Sequence, residues 1–154
     1  MGKHDVEAVF PVVFPQLIEI VDGDTFDLML DQRFRTYRKQ RCRLLRLDAP
    51  EKNTEAGKAV AKFCSMWIQC YAEKTGLNWT SNVWETVGQD QYGRSLGVLR
   101  SNDPFVMPLN DYLLNQQLVR YYMGEKRYPW SVDELGTVLG KAETLISNFE
   151  RDKK

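Results

Sequence analysis

An Asp-Gly pair at positions 22–23 lies between two β-rich runs, 16–21 with Leu17, Ile18, Ile20 and Val21, and 25–30 with Thr25, Phe26, Leu28, Met29 and Leu30. Two such runs around Asp-Gly read as a hairpin with a tight turn. A chain that opens on a hairpin places its first apolar residues on a sheet, and the later pattern extends that sheet. The basic stretch that follows reads as a loop whose end enters a third strand over about 41–47. Asp48-Ala49-Pro50-Glu51 stops that strand, because proline cannot donate to a ladder.

Residues 55–74 have helical spacing, with Ala59, Phe63, Trp67 and Cys70 recurring, Val60 and Cys64 beside them, and Gly76 after the end. Residues 77–87 are β-like again, with Trp79, Val83 and Val87 among polar neighbours. A turn at 90–94 leads to a fifth strand at 95–100. Residues 110–119 suggest a short second helix. Ser131-Val132-Asp133-Glu134 has the form of a capping box that opens a last helix towards Arg151. Residues 1–15, with Pro11 and Pro15, read as an N-terminal arm, and 152–154 as a frayed tail. Five strands with a helix after the third resemble the layout of an OB-type barrel with helices packed at its end. The expected fold class is α+β: a five-stranded OB-type β-barrel with about three packed helices, in a single domain over 1–154.

The 154 residues can bury one core, and 43% hydrophobic against 27% charged residues argue against disorder. No window approaches 18 apolar residues, which excludes a membrane-spanning helix. The first residues carry Asp5 and Glu7 and are broken by prolines, a poor secretion signal, so an intracellular, cytoplasmic location is expected. Cys42, Cys64 and Cys70 cannot all pair and have no CxxC spacing; with His4 the sole histidine, they read as small buried hydrophobes and not as zinc ligands. Trp67, Trp79, Trp84 and Trp130 read as packing residues more readily than as a base-stacking platform.

Net charge is zero, but its distribution is uneven. Arg33, Arg35, Arg38, Lys39, Arg41, Arg43 and Arg46 follow one another with no acid between them. The other 14 basic residues face all 21 acids, a balance of −7. A basic stretch on an acidic body suits a protein that holds a polyanion on one face, and it equally suits a solvated basic loop.

Asp22, Asp24 and Thr25 cluster at one hairpin, and Asp48 and Glu51 at the end of a strand. Hard divalent cations take oxygen ligands, which two segments can jointly supply, and such a site can polarise a phosphodiester. Arginine matches phosphate geometry and stays charged at any working pH. Arg43 precedes Asp48 by five residues, so a regular strand would put them on opposite faces and a bend is required. Arg94 follows a Tyr-Gly turn from which a side chain can be aimed across a pocket. Each signal alone also has an ordinary reading as turn or helix-end chemistry.

Four segments in order, IVDGDTFDL (20–28), RLLRLDAPE (43–51), DQYGRSL (90–96) and LNDYLLNQQLVRY (109–121), resemble the staphylococcal nuclease, or thermonuclease-like, family. The resemblance runs from about residue 16 to residue 122. It implies a Ca²⁺-dependent nuclease on DNA or RNA, with Asp24, Asp48 and the backbone carbonyl of Ala49 as metal ligands. It implies Glu51 as general base, and Arg43 and Arg94 as the arginines that bind phosphate and stabilise the transition state. Asp22 and Thr25 would support them, and Tyr92, with Tyr121 or Tyr122, would touch the nucleotide. The chain departs from the family pattern at Ala49, where threonine is common, at Gln91, where lysine is frequent, and at Gln117, where glycine often stands. A catalytically silent module of the same fold, binding nucleic acid or protein, is the alternative expectation.

Overall fold

The computed structural model describes residues 12–32, 34–73, 82–124 and 126–152. The opening hairpin is formed by β1 (Val12–Asp22) and β2 (Thr25–Asp31), in register from Phe14↔Asp31 to Asp22↔Thr25. β1 therefore begins inside the expected arm, and Pro15 is carried in the strand. Gly23 serves the turn through space: a Cβ there would collide with the Val60 side chain, so glycine lets the turn press on the helix beneath it.

β3 (Tyr37–Leu44) pairs antiparallel with β2 from Thr25↔Arg43 to Asp31↔Tyr37. It begins four residues earlier than expected, so Arg38 and Lys39 belong to the strand and not to a loop. Charged residues are accommodated because β3 is exposed over most of its length and inserts only Cys42 to Leu44 into the interior. The expected end of the strand is also divided. The chain turns at Leu45 and Arg46, with Arg46 in the left-handed region at φ 65°, and resumes as β4 (Leu47–Asp48).

α1 (Glu55–Glu73), β5 (Asn82–Gln89) and β6 (Ser95–Ser101) follow. β5 and β6 form the second hairpin, and β6 then runs parallel to β3 through Cys42↔Ser95, Arg43↔Leu96 and Leu44↔Gly97. β1 also pairs with β5, at Val12↔Glu85 and Val13↔Trp84, so the order β1-β2-β3-β6-β5 returns on itself. Gly97 is required where β6 crosses close to Trp84 and the Glu85 carbonyl.

α2 (Leu109–Asn115) is shorter than expected. It ends in a Schellman motif: Leu118 N–H donates to Leu113 O and Gln117 N–H to Leu114 O, each at 3.0 Å, with Gln117 at φ 59°. Buried Asn110 ties α2 to the sheet, accepting from Leu99 N–H at 3.1 Å and donating to Gly97 O at 3.2 Å. The chain then forms β7 (Arg120–Tyr121), which pairs with β4 and was not foreseen. α3 (Val132–Asp152) opens on the expected capping box. Glu134 N–H donates to Ser131 Oγ at 3.1 Å, and Ser131 N–H to Glu134 Oε1 at 2.8 Å. The helix includes Asp152, the first residue of the expected tail.

The core joins Phe26, Leu28, Leu44, Trp84 and Leu99 of the strands to Val60, Phe63 and Trp67 of α1. Val138, Ala142 and Ile146 close it from α3, and Phe63 stacks on Tyr112 of α2 with ring centroids 5.6 Å apart. Trp67 and Trp84 are core residues and Trp130 is half-buried, while Trp79 lies outside the described residues. Cys42 and Cys64 are buried free thiols, and burial pushes the Cys42 thiol up to about 12. Among the described residues no helix is long and apolar enough to cross a membrane.

Candidate active site

The turn between β1 and β2, the end of β3, the segment before α1 and the β5–β6 turn meet around a pocket of about 300 Å³. Asp22, Asp24, Thr25, Arg43, Ala49, Glu51 and Arg94 line it, together with Lys52, Asn53 and Arg127. Seven of the expected site residues thus share one cavity, drawn from four separate segments. A second pocket of about 630 Å³ shares Arg43, Arg94 and Arg127 with the first, and is also lined by Tyr92 and Tyr122. Tyr121 lines neither pocket: it faces outward from β7 with 58% of its surface exposed.

Asp24 is the most constrained acid of this wall. Its Oδ1 accepts from Thr25 Oγ1 at 2.8 Å, and its Oδ2 from Ala49 N–H at 2.9 Å. Arg43 Nη2 stands 3.4 Å from the same Oδ2 and donates at 2.9 Å to Leu47 O. The chain bends at Leu45–Arg46, but this brings Arg43 against the Leu47 carbonyl and not to Asp48, which pairs with Arg120 and Arg127. Burial raises the Asp24 pKa above the ordinary carboxylate value; Arg43, the Ala49 amide and Thr25 offset this only in part, and nearby Asp22 adds to it. Asp22 Oδ1 in turn accepts from Lys52 N–H at 2.9 Å, while Lys52 Nζ reaches Ile20 O at 2.7 Å.

Glu51 stands exposed on a segment anchored at its far end. Thr54 donates its hydroxyl to Glu51 O at 2.7 Å and its N–H to the same oxygen at 3.0 Å. The Thr54 hydroxyl also accepts from Gly57 N–H at 2.9 Å, capping α1. A Cβ at Gly57 would overlap the Glu51 carbonyl, so glycine is needed for Glu51 to sit where it does. Sequence reasoning passed over both Thr54 and Gly57, although Thr before a helical run is a readable cap.

Arg94 is presented by a tight turn. Gly93 takes the left-handed conformation at φ 83°, Asp90 Oδ1 accepts from Tyr92 N–H and Arg94 N–H, and Asp90 Oδ2 pairs with Arg94 Nε. Arg94 lies over the Tyr92 ring at 5.4 Å.

Asp48 is placed differently from the expectation. It is 2% exposed and absent from the lining of the pocket. Arg120 Nη2 is 2.7 Å from its Oδ2, and Arg127 Nη2 pairs with its Oδ1. Both arginines escaped the sequence reading, because the acid they hold is 72 and 79 residues away in the chain.

Among the described residues no three His, Cys, Asp or Glu side chains gather as a metal ion would hold them. The expected donors fit a hard cation in part. Asp24 and Ala49 line the pocket beside Asp22, and Asp24 is a buried carboxylate whose pKa is raised chiefly by burial. Asp48 is instead paired with Arg120 and Arg127. No family model matches the chain, and no curated protein matches it.

Proposed function

We propose that the chain is a phosphodiester hydrolase acting on nucleic acid, on an OB-type barrel of the staphylococcal-nuclease kind, with calcium as its expected metal ion. The observation that carries this reading is the single pocket in which Arg43, Arg94, Glu51, Asp22 and Asp24 meet. Two arginines beside a set of carboxylates suit a phosphodiester, which needs positive charge at its equatorial oxygens and a base for the attacking water.

Arg43 and Arg94 bind the phosphate and meet the charge that grows on it as a five-coordinate phosphorus forms. Glu51 accepts a proton from the water whose oxygen bonds to phosphorus. The bond from phosphorus to the leaving sugar oxygen breaks, and that oxygen takes a proton from solvent. Tyr92, beside Arg94 on the wall shared with the second pocket, supports the neighbouring nucleoside. Asp24, the Ala49 carbonyl and Asp48, once released from an arginine, would hold the ion, with Asp22 and Thr25 in support; the ion would supply Lewis-acid polarisation of the phosphate.

Glu51→Gln should slow single-turnover cleavage of an end-labelled oligonucleotide by a factor of about 10²–10⁴, the usual worth of a positioned general base. An unchanged rate would overturn the reading. A second reading, a silent binding module, is favoured by one observation: Asp48 is tied to two arginines and not gathered with Asp24. Tight oligonucleotide binding without product would decide for it.

A further inference from the structure

The pocket carries two cations that the proposed chemistry does not use, Lys52, whose ammonium is engaged by Ile20 O at 2.7 Å, and Arg127. Arg127 lines it together with Arg43 and Arg94, and the same three arginines line the adjoining pocket. We propose that Arg127 is a third strand-holding arginine, which exchanges the Asp48 carboxylate for the phosphate next to the one held by Arg43 and Arg94. This inference rests on the hydrolase reading and names its substrate more narrowly: a strand with at least two phosphates, not an isolated phosphoester.

Asp48 has two guanidinium partners, and they are held unequally. Arg120 is fixed by three contacts: Asp48 at 2.7 Å, the Tyr128 carbonyl at 2.6 Å and the face of Trp130 at 4.1 Å. Its side chain is 27% exposed. Arg127 has the Asp48 carboxylate and the edge of the Tyr122 environment, with its guanidinium carbon 5.9 Å from that ring. Its side chain is 51% exposed. When Arg127 leaves, Arg120 still neutralises Asp48, so the exchange abandons no buried charge. Arg127 is the half-exposed member of its pair, so solvent screens its side of the contact, and a guanidinium on phosphate gains a paired, charge-assisted contact in exchange.

Tyr122 lies beside two of the three arginines. Arg43 lies 5.5 Å from the same ring, so the guanidinium carbons of Arg43 and Arg127 are no more than about 11 Å apart. Arg43 is buried and Arg127 opens to solvent, so a strand can lay one phosphate inside the pocket and the next at its rim.

The test measures binding in EDTA to protein carrying Glu51→Gln, so that cleavage cannot intervene. The probes are a labelled thymidine hexanucleotide and a labelled thymidine monophosphate. Arg127→Ala should weaken the hexanucleotide about tenfold and leave the monophosphate unchanged. The slope of log K against log salt should fall by about 0.7 for the hexanucleotide, one phosphate contact on a single strand, and Arg127→Lys should restore most of it. Thermal stability should hardly change. Equal weakening of both probes, or an unaltered salt slope, would overturn the proposal. Because no turnover is involved, a length-dependent loss can hold in a protein that never cleaves, and cleavage can be present while the loss is missing.

Discussion

The acidic and the cationic walls of the pocket are built in opposite ways. On the acidic wall Asp24, Ala49, Glu51 and Thr54 are tied by hydrogen bonds of 2.7–3.0 Å within and between two segments, and glycines at 23 and 57 allow close approach to the Val60 side chain and to the Glu51 carbonyl. On the cationic wall Arg94 and Arg127 extend from an exposed turn and an exposed segment, and each is paired with a carboxylate, Asp90 and Asp48. Arg43 belongs to the rigid side, buried between Asp24 and the Leu47 carbonyl. The difference teaches which part of such a site must be set in advance. A base has to sit within hydrogen-bond reach of the attacking water, so misplacement is costly, whereas a phosphate clamp can close on its ligand.

The comparison can be broken from either side. Removing the cation at the soft wall should hurt chemistry without hurting the fold. Arg94→Ala is expected to lower kcat by a factor of about 10²–10³, while its melting curve stays close to the parent's. Crowding the rigid wall should hurt both. Gly57→Ala must push the Glu51 carbonyl away, and a displacement near 1 Å is worth about 10²-fold in rate. Its melting point should fall as well; a normal rate with a lowered melting point would mean that Glu51 does not need its tether.

The rigid wall also carries a cost in stability. The Asp24 pKa is raised in the fold by burial, so its charged form opposes folding. That opposition is absent below the ordinary carboxylate range and complete above the raised value. Stability measured against Asp24→Asn should therefore decline as pH rises from about 4 towards neutrality. The stability of Asp24→Asn relative to the parent should improve as pH rises, while activity is lost. Denaturant melts at several pH values check both the sign and the window. The smallest effect is expected away from both walls. Gln117→Gly should stabilise by about 1 kcal/mol, since the left-handed conformation at the end of α2 suits glycine. It should leave cleavage untouched.

The parts of this structure that were legible in the sequence are local ones. The first hairpin, α1, the 90–94 turn and the Ser131–Glu134 cap depend on contacts within a few residues, and each is written in turn and periodicity signals. The parallel pairing of β6 with β3 and the β4–β7 pair join segments about 50 and 70 residues apart, and nothing in either segment announces its partner. The same holds within the pocket. Asp24, Arg43, Glu51 and Arg94 stood out by residue type next to turns, whereas Arg120 and Arg127 matter through a carboxylate reached only by the fold. The basic stretch misled in one respect. Its charges suggested a loop, but a sheet with one face open to water accepts them in the strand.

The central claim is that this pocket hydrolyses phosphodiesters with Glu51 as base and a divalent cation as partner. The most direct measurement incubates the protein with labelled single- and double-stranded DNA and RNA, in calcium, magnesium or EDTA, beside Glu51→Gln. The account predicts fragments in calcium that vanish in EDTA and in the Glu51→Gln protein. Intact substrate in every lane, or fragments that survive both EDTA and the substitution, would contradict it.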